Sequence, residues 1–236
     1  MRYIKQRFLS KCLNRRRHNP PETTVAAKKA WRRTNKKDIR KACYKQQLGI
    51  CAYTELSLDN TELGYHLEHI APRSNYPERT FVPHNIILSI MDDVYSGTLP
   101  HSETFGGHHK SEDYADDWFI SPFDRNCASY FDYKITGLVA ASTTLGTDEQ
   151  LKADRTIAIL NLNADYLVAC RNTSLQTLTE QIERMSVSLL GEDKRLNALA
   201  QLAEVTLLPF DKKLPEFYSA KKQLFERLGV NFPVPL

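Results

Sequence analysis

The densest gathering of side chains able to move a proton or hold a metal lies between residues 66 and 110. His66-Leu67-Glu68-His69-Ile70-Ala71-Pro72 comes first, Asn85 follows within His-Asn-Ile-Ile-Leu-Ser-Ile, and Gly106-Gly107-His108-His109-Lys110 closes the set. Hydrolysis of a phosphodiester needs an activated water, a cation on the phosphate and leaving oxygen, and a base held in one orientation. Histidine takes up a proton near neutral pH. A divalent ion stabilises the charge that develops on phosphate, and an amide such as that of Asn85 can fix an imidazole by a hydrogen bond. Neighbouring strand residues face opposite sides, so Glu68 and His69 serve one site only if the strand bends or ends there. Ala71-Pro72 gives it a reason to end. Taken alone, His-x-x-His is a weak signal, because short motifs recur by accident. His84 and His101 read as loop or surface histidines, Asp92-Asp93 and Asp116-Asp117 as solvated acids, and Cys127 and Cys170 as small buried apolar residues.

Glu-His-Ile-x-Pro, Asn-Ile-Ile-Leu-Ser and Gly-His-x-Lys, in that order, resemble an HNH (ββα-metal) endonuclease. More narrowly, MRYIK, LGICAYTE, HLEHIAPRS, HNIILSI, GGHHK and ISPFDRNCASYFDYKITG are similar to the HNH nucleases encoded beside an ATPase in Septu anti-phage systems, and in retron systems carrying the same pair (PtuB-like). ILNLNADYLVACR resembles the family as well, so the likeness runs with gaps from residue 1 to about residue 171. The resemblance implies an α+β fold around a ββα-metal core. It implies His69 as general base, Glu68 as a metal ligand beside it, and Asn85 as the residue that orients and polarises the base. It implies His108 as the second metal ligand, with adjacent His109 as the alternative, Lys110 as a phosphate contact, and His66 in a supporting place. The ion implied is Mg²⁺ or Mn²⁺. The implied partners are an ATPase subunit (PtuA-like), a nucleic acid, and a retron reverse transcriptase with its non-coding RNA/DNA. HNH chemistry favours DNA as the substrate, while a structured RNA such as a tRNA suits the same basic arm.

Many members of the family also carry paired cysteines for a structural zinc. Here Cys51 stands alone, with Thr54 and Ile90 at positions where cysteines are expected and Gly106 before Gly107-His108. One thiol cannot make a tetrahedral site, so no structural zinc is expected, and Tyr53, Leu88, Ile90 and Phe105 are expected to fill its place by apolar packing. The competing functional class is a non-catalytic nucleic-acid-binding or regulatory subunit on a degenerate HNH fold. Retention of Glu68, His69, Asn85 and His108 argues against it.

The elements that must position these residues divide the 236-residue chain by charge. Residues 1–47 carry 16 of the 32 Lys and Arg against only Glu22 and Asp38, a balance of +14 within a total of +4. The remainder stands at −10, and such asymmetry points to a polyanion partner. The expected organisation is a basic helical arm (1–48), a nuclease core (49–140) and an α-helical region that docks a partner (141–236). Helices are expected over 24–34 and 38–48, the first with Val25, Ala26 and Trp31 on its apolar stripe, the second ended by Gly49. Arg15, Arg16, Arg17, Arg32, Arg33, Lys36 and Lys37, with Trp31 and Tyr44 among them, are the expected nucleic-acid contacts, since Lys and Arg supply sequence-independent affinity for phosphate.

MRYIKQRFLS reads as a short strand tied to the body. ICAY, YHLEHI and NIILSI also read as short strands, and FDYKITGLVAA as a hairpin about Thr136-Gly137. Further helices are expected from Asp148 to Leu160, through Leu175, Leu178, Ile182, Met185 and Leu189 up to Gly191, through Leu196, Leu199, Ala203 and Leu207 up to Pro209, and through Phe217, Ala220, Leu224 and Leu228 up to Gly229. Five Cys without disulfide-like spacing, and an N-terminus without an apolar segment, set a cytoplasmic expectation. No apolar run approaches the roughly 18 residues of a membrane span.

Overall fold

Polar side chains start each of the first three helices in the computed structural model, which describes residues 1–7, 10–186 and 191–231. Ser10 accepts from the amides of Cys12 and Leu13 at the head of α1 (Lys11–Arg16), and its hydroxyl donates to Asp38 at 2.8 Å. Thr23 caps α2 (Thr24–Arg32) and Asn35 caps α3 (Lys36–Gln47). Each cap satisfies amides that the first helical turn leaves unpaired. Leu48 (φ 54°) and Gly49 (φ 74°), both in the left-handed region, end α3.

The buried stripe of α2 is Ala27 and Trp31, whereas Val25 is exposed; the i, i+4 pair, rather than Val25 and Ala26, faces inward. Residues 1–7 form no strand. Extended coil is nonetheless tied down, with Met1 and Ile4 buried and the Ile4 amide donating to the Pro122 carbonyl at 2.7 Å. Phe8 and Leu9, at the end of that expected strand, lie outside the described residues, as does Leu189.

Two small antiparallel sheets follow. β1 (Tyr65–His69) pairs with β2 (Ile86–Ile90), His66 opposite Ser89 and His69 opposite Ile86. The outer edge of β2 is closed by a side chain. Gln47 accepts from the Leu88 amide at 2.7 Å and donates to the Leu88 carbonyl at 2.9 Å, standing in for a third strand. ICAY contributes turns and one bridge, Ile50 with Ser57, rather than a strand. Tyr53, Leu88, Ile90 and Phe105 are buried in the core, and the Cys51 thiol accepts from the Ile90 amide at 3.3 Å.

β3 (Phe131–Tyr133) and β4 (Val139–Ala141) form the hairpin about Gly137. That position requires glycine: φ is 88°, and a Cβ would stand 2.2 Å from the Val168 carbonyl. Buried Arg171 locks the hairpin to the helices, donating to the carbonyls of Gly137 and of Leu162 (3.2 Å).

Two short helices, α4 (Asp93–Ser96) and α5 (Gly107–Lys110), lie between the sheets in sequence, and four longer ones close the chain. These are α6 (Thr147–Ile159), begun at Gly146 with Asp148 in its first turn, α7 (Asp165–Ser186), α8 (Glu192–Leu207) and α9 (Tyr218–Arg227). The whole is a mixed α+β fold, mostly helical, with two two-stranded sheets.

One apolar core unites Met1, Ile4, Trp31, Ile39, the β1–β2 hairpin, Leu160, Leu175, Phe217 and Ala220. A second, smaller core joins Ile50 to Leu178, Ile182, Leu199, Leu207 and Phe225. The basic arm and the last helix therefore pack into the body that carries the site. No described helix is long and apolar enough to cross a membrane.

Candidate active site on the β1–β2 hairpin

Alternation along β1 sends His66 and Glu68 to one face of the hairpin and His69 to the other. On the first face α5 closes down. The Gly107 amide donates to Ser89 Oγ at 3.0 Å, and any side chain there would push its neighbours aside: a Cβ at Gly107 would lie 2.8 Å from His66 Nε2 and 2.9 Å from Glu68 Cδ. This approach sets His108 against His66, ring centroids 4.2 Å apart. His66 Nδ1 meets the Met91 carbonyl at 2.7 Å, which fixes Nδ1 as the protonated nitrogen and turns Nε2 toward Glu68 Oε2 at 3.5 Å. His108 Nε2 lies 3.5 Å from Asp93 Oδ1 and has no hydrogen-bond partner.

Lys110 is buried, with its ammonium 3.0 Å from Glu68 Oε1. The sequence had assigned this lysine to phosphate; it stands inside the protein as counter-ion to Glu68. The contact is an ion pair without hydrogen-bond alignment, so Glu68 Oε1 remains an unsatisfied acceptor.

Burial pushes the Glu68 carboxyl up, but Lys110 and His66 outweigh it and hold the group below its usual range, hence ionised. Burial likewise opposes charge on His66, yet Glu68, the Met91 carbonyl and Asp93 raise its pKa. For His108, burial and then His66 lower it, so its imidazole is neutral at neutral pH with a free lone pair.

His109 turns the other way. It stacks on His101 at 4.4 Å, and the two exchange ring-to-carbonyl contacts of 3.0 and 3.1 Å. Of the two adjacent histidines, His108 is thus the one brought to Glu68.

On the opposite face His69 ends β1, buried beneath Trp31, whose ring meets it edge-on at 4.4 Å. His69 Nε2 contacts the Thr80 carbonyl at 3.0 Å, which assigns the proton to Nε2 and leaves Nδ1 as the basic nitrogen. Burial, then Arg73, bring its pKa down to about 3, against the Thr80 carbonyl and Glu68, which raise it. The imidazole is therefore neutral, and the charges of Glu68, Lys110 and Arg73 all act on it.

Asn85 makes no bond to His69. Its Oδ1 accepts from the Ala71 amide at 2.6 Å, and its Nδ2 donates to the carbonyls of Ala71 (3.0 Å) and Arg79 (3.1 Å). Asn85 thereby ties together the ends of the loop that presents the Thr80 carbonyl, one residue beyond Arg79.

The basic residues are spread over several surfaces. Arg15, Arg17, Arg32 and Arg33 are exposed, Arg16 lies over the Phe81 ring at 5.3 Å, and Lys36 lies over Trp31 at 5.7 Å. Lys37 lines a large cleft elsewhere on the molecule. Arg73, Thr80 and Trp31 as the cover of His69 carry no signal in the sequence, whereas Asp93, read as a solvated acid, is exposed and lies 3.5 Å from His108. The Arg73 guanidinium over the Trp31 ring (5.3 Å) and the Thr80 carbonyl leave no pattern a motif would carry.

Among the described residues, no three His, Cys, Asp or Glu side chains converge as a ready-made metal cage. By donor chemistry two groups suit a divalent ion, the unpartnered His108 Nε2 and the ionised Glu68, whose Oε1 already faces the Lys110 ammonium at 3.0 Å. Mg²⁺-type ions commonly take one or two protein ligands and complete their shell with water and phosphate. Compared with protein-family models and with curated proteins, the chain matches none.

Proposed function

We propose that this chain is a metal-dependent HNH endonuclease that hydrolyses phosphodiester bonds in nucleic acid, with β1, β2 and α5 as a short form of the ββα-metal core. The observation that carries the reading is the approach of α5 at Gly107 to His66 and Glu68, which stacks His108 on His66, with a neutral His69 one residue on from Glu68, on the opposite face of β1, its Nε2 fixed by the Thr80 carbonyl. Glu68 and His108 would hold the ion, which when bound supplies Lewis-acid stabilisation of charge on the phosphate and leaving oxygen. His69 Nδ1 accepts the proton of the attacking water, and the Thr80 carbonyl stabilises the imidazolium through Nε2–H. Lys110 and His66 keep Glu68 charged, and Asn85 holds the loop that orients the base.

The same reading places the chain in the cytoplasm as effector of an anti-phage complex, with a PtuA-like ATPase subunit as partner and, in a retron setting, the reverse transcriptase and its nucleic acid. DNA is the favoured substrate, with a structured RNA such as tRNA as the alternative. A second reading, a non-catalytic nucleic-acid-binding subunit, draws on two contacts: Trp31 covers His69, and Lys110 occupies one oxygen of Glu68.

The deciding assay incubates the chain, with and without its ATPase, with plasmid, single-stranded DNA and total RNA in Mg²⁺ or Mn²⁺ and in EDTA. EDTA-sensitive cutting that falls at least about 100-fold in His69→Ala, the scale of a lost general base, is expected. Absence of such cutting from every substrate in both states, or full activity in His69→Ala, overturns the proposal.

A further inference from the structure

A large cleft of about 1410 Å³ lies away from the His66–Glu68–His108 cluster. It lies between the first seven residues, the solvent face of α3, and the segment from Asp211 to Glu226 that includes most of α9. Neither His66, Glu68, His69, His108 nor Lys110 lines it. Eleven of its lining residues are Lys or Arg, against the carboxylates of Asp211 and Glu226. Lys213 is paired with Asp59 and Lys222 with Glu226, but Lys5, Arg7, Arg40, Lys41, Lys45 and Arg125 have no ion-pair partner among the described residues. So many unpaired like charges around a concavity repel one another, which a polyanion relieves.

Three further features narrow the occupant. Lys37, Lys41 and Lys45 recur at i, i+4 on α3, a cation about every 6 Å along the helix, comparable to the step between phosphates in an extended strand. The rings of Tyr3, Tyr44 and Tyr65 line the same walls and are half-exposed, as stacking platforms for bases require. The cavity also exceeds the roughly 300–1,000 Å³ of ordinary small-ligand pockets.

We infer that this cleft is a second nucleic-acid site, built for a single strand whose phosphates lie along the α3 cations and whose bases reach the rings of Tyr3, Tyr44 and Tyr65. It stands independently of the cleavage chemistry.

The test is fluorescence anisotropy of the full chain with short 5′-labelled single strands of DNA and of RNA in EDTA, where no metal-dependent cutting occurs. The triple variant Arg40→Glu, Lys41→Glu, Lys45→Glu changes only solvent-facing positions of α3, and should weaken binding more than about tenfold. It should also make the slope of log K against log salt shallower by about 2, the value for three phosphate contacts on a single strand. Tyr44→Leu, which removes one half-exposed ring from the wall, should weaken binding about tenfold, the scale of one stacked base. His69→Ala should bind as the parent does, which separates the cleft from the cleavage reading. Unchanged affinity in both cleft variants overturns the inference. So does equal affinity for a duplex of the same length, which has no free bases to stack, or equal competition by a polyglutamate peptide, which would mark the cleft as a dock for an acidic protein.

Discussion

A methyl group added at Gly107 would stand 2.8 Å from His66 Nε2 and 2.9 Å from Glu68 Cδ, closer than side-chain carbons approach. Gly107 has an ordinary helical backbone, so Ala there costs little in the helix itself; the strain falls on the two side chains opposite. Gly107→Ala is therefore expected to reduce metal-dependent cleavage about 100-fold, the scale of a displacement of about 1 Å in a reacting group, with Tm lowered by only a few degrees. Steady-state cleavage rates and a thermal melt on the same preparation check this. Activity at the parent level would mean that His66 and Glu68 do not have to hold this geometry. The residue types of the site were legible in the sequence, because Glu68, His69, Asn85 and His108 are chemically distinctive. Their contacts were less so. Adjacent residues on a helix point about 100° apart, and only the stack of His101 on His109 reveals that His108 is the one turned to Glu68. Asn85 illustrates the same limit: its amide reaches two backbone segments, Ala71 and Arg79, rather than the His69 imidazole.

Helix α2 does more than carry positive charge. Through Trp31 it roofs His69, and Lys36 and Arg73 bracket the same indole. An imidazole beneath that roof has little contact with water, so the packing of α2 limits access to His69. Trp31→Ala is expected to cost about 3–5 kcal/mol in stability and to speed modification of His69 by diethylpyrocarbonate about tenfold, read by mass spectrometry of the labelled peptide. Trp31→Phe keeps an aromatic edge over the imidazole and should react near the parent rate. Equal rates in all three proteins would show that Trp31 is not the cover. The helices at 24–34 and 38–48 and the hairpin about Gly137 were readable because caps, glycines and apolar spacing are local signals. What Trp31 covers was not, because it stands 38 residues before His69 and nothing in either segment names the other. Gln47 was equally silent: a polar residue at the end of a basic helix closes the edge of β2 with both halves of its amide.

The division of charge into a +14 segment and a −10 remainder describes the sequence better than the molecule. Lys212, Lys213 and Lys222, from the acidic remainder, line the same cleft as Arg7, Arg40 and Lys45, so the basic surface is assembled from both ends of the chain. Glu55 is where those ends are joined. It is buried, lies 3.4 Å from the Met1 ammonium, and accepts from both the amide (2.7 Å) and the hydroxyl (2.5 Å) of Ser219 on α9. Burial pushes its carboxyl up, but the ammonium, Ser219 and then Arg2 outweigh that and hold it below its usual value of 4.5. A carboxyl with a lowered folded-state pKa contributes stability that is complete above the unfolded value and is lost as pH falls through the folded one. The parent should therefore lose stability progressively from about pH 4.5 downward. Glu55→Gln leaves the ammonium and Arg2 without their buried counter-charge, and should cost about 3 kcal/mol or more at pH 7. As pH falls from about 4.5 through the lower folded value the gap between the two proteins should narrow, because the unfolded chain takes up its proton first and native Glu55 is neutralised only below its folded value. Urea unfolding of both proteins across pH 3–7 measures that gap directly. Curves that stay parallel over the whole range would show that the charge of Glu55 does not hold the two ends of the chain to the body.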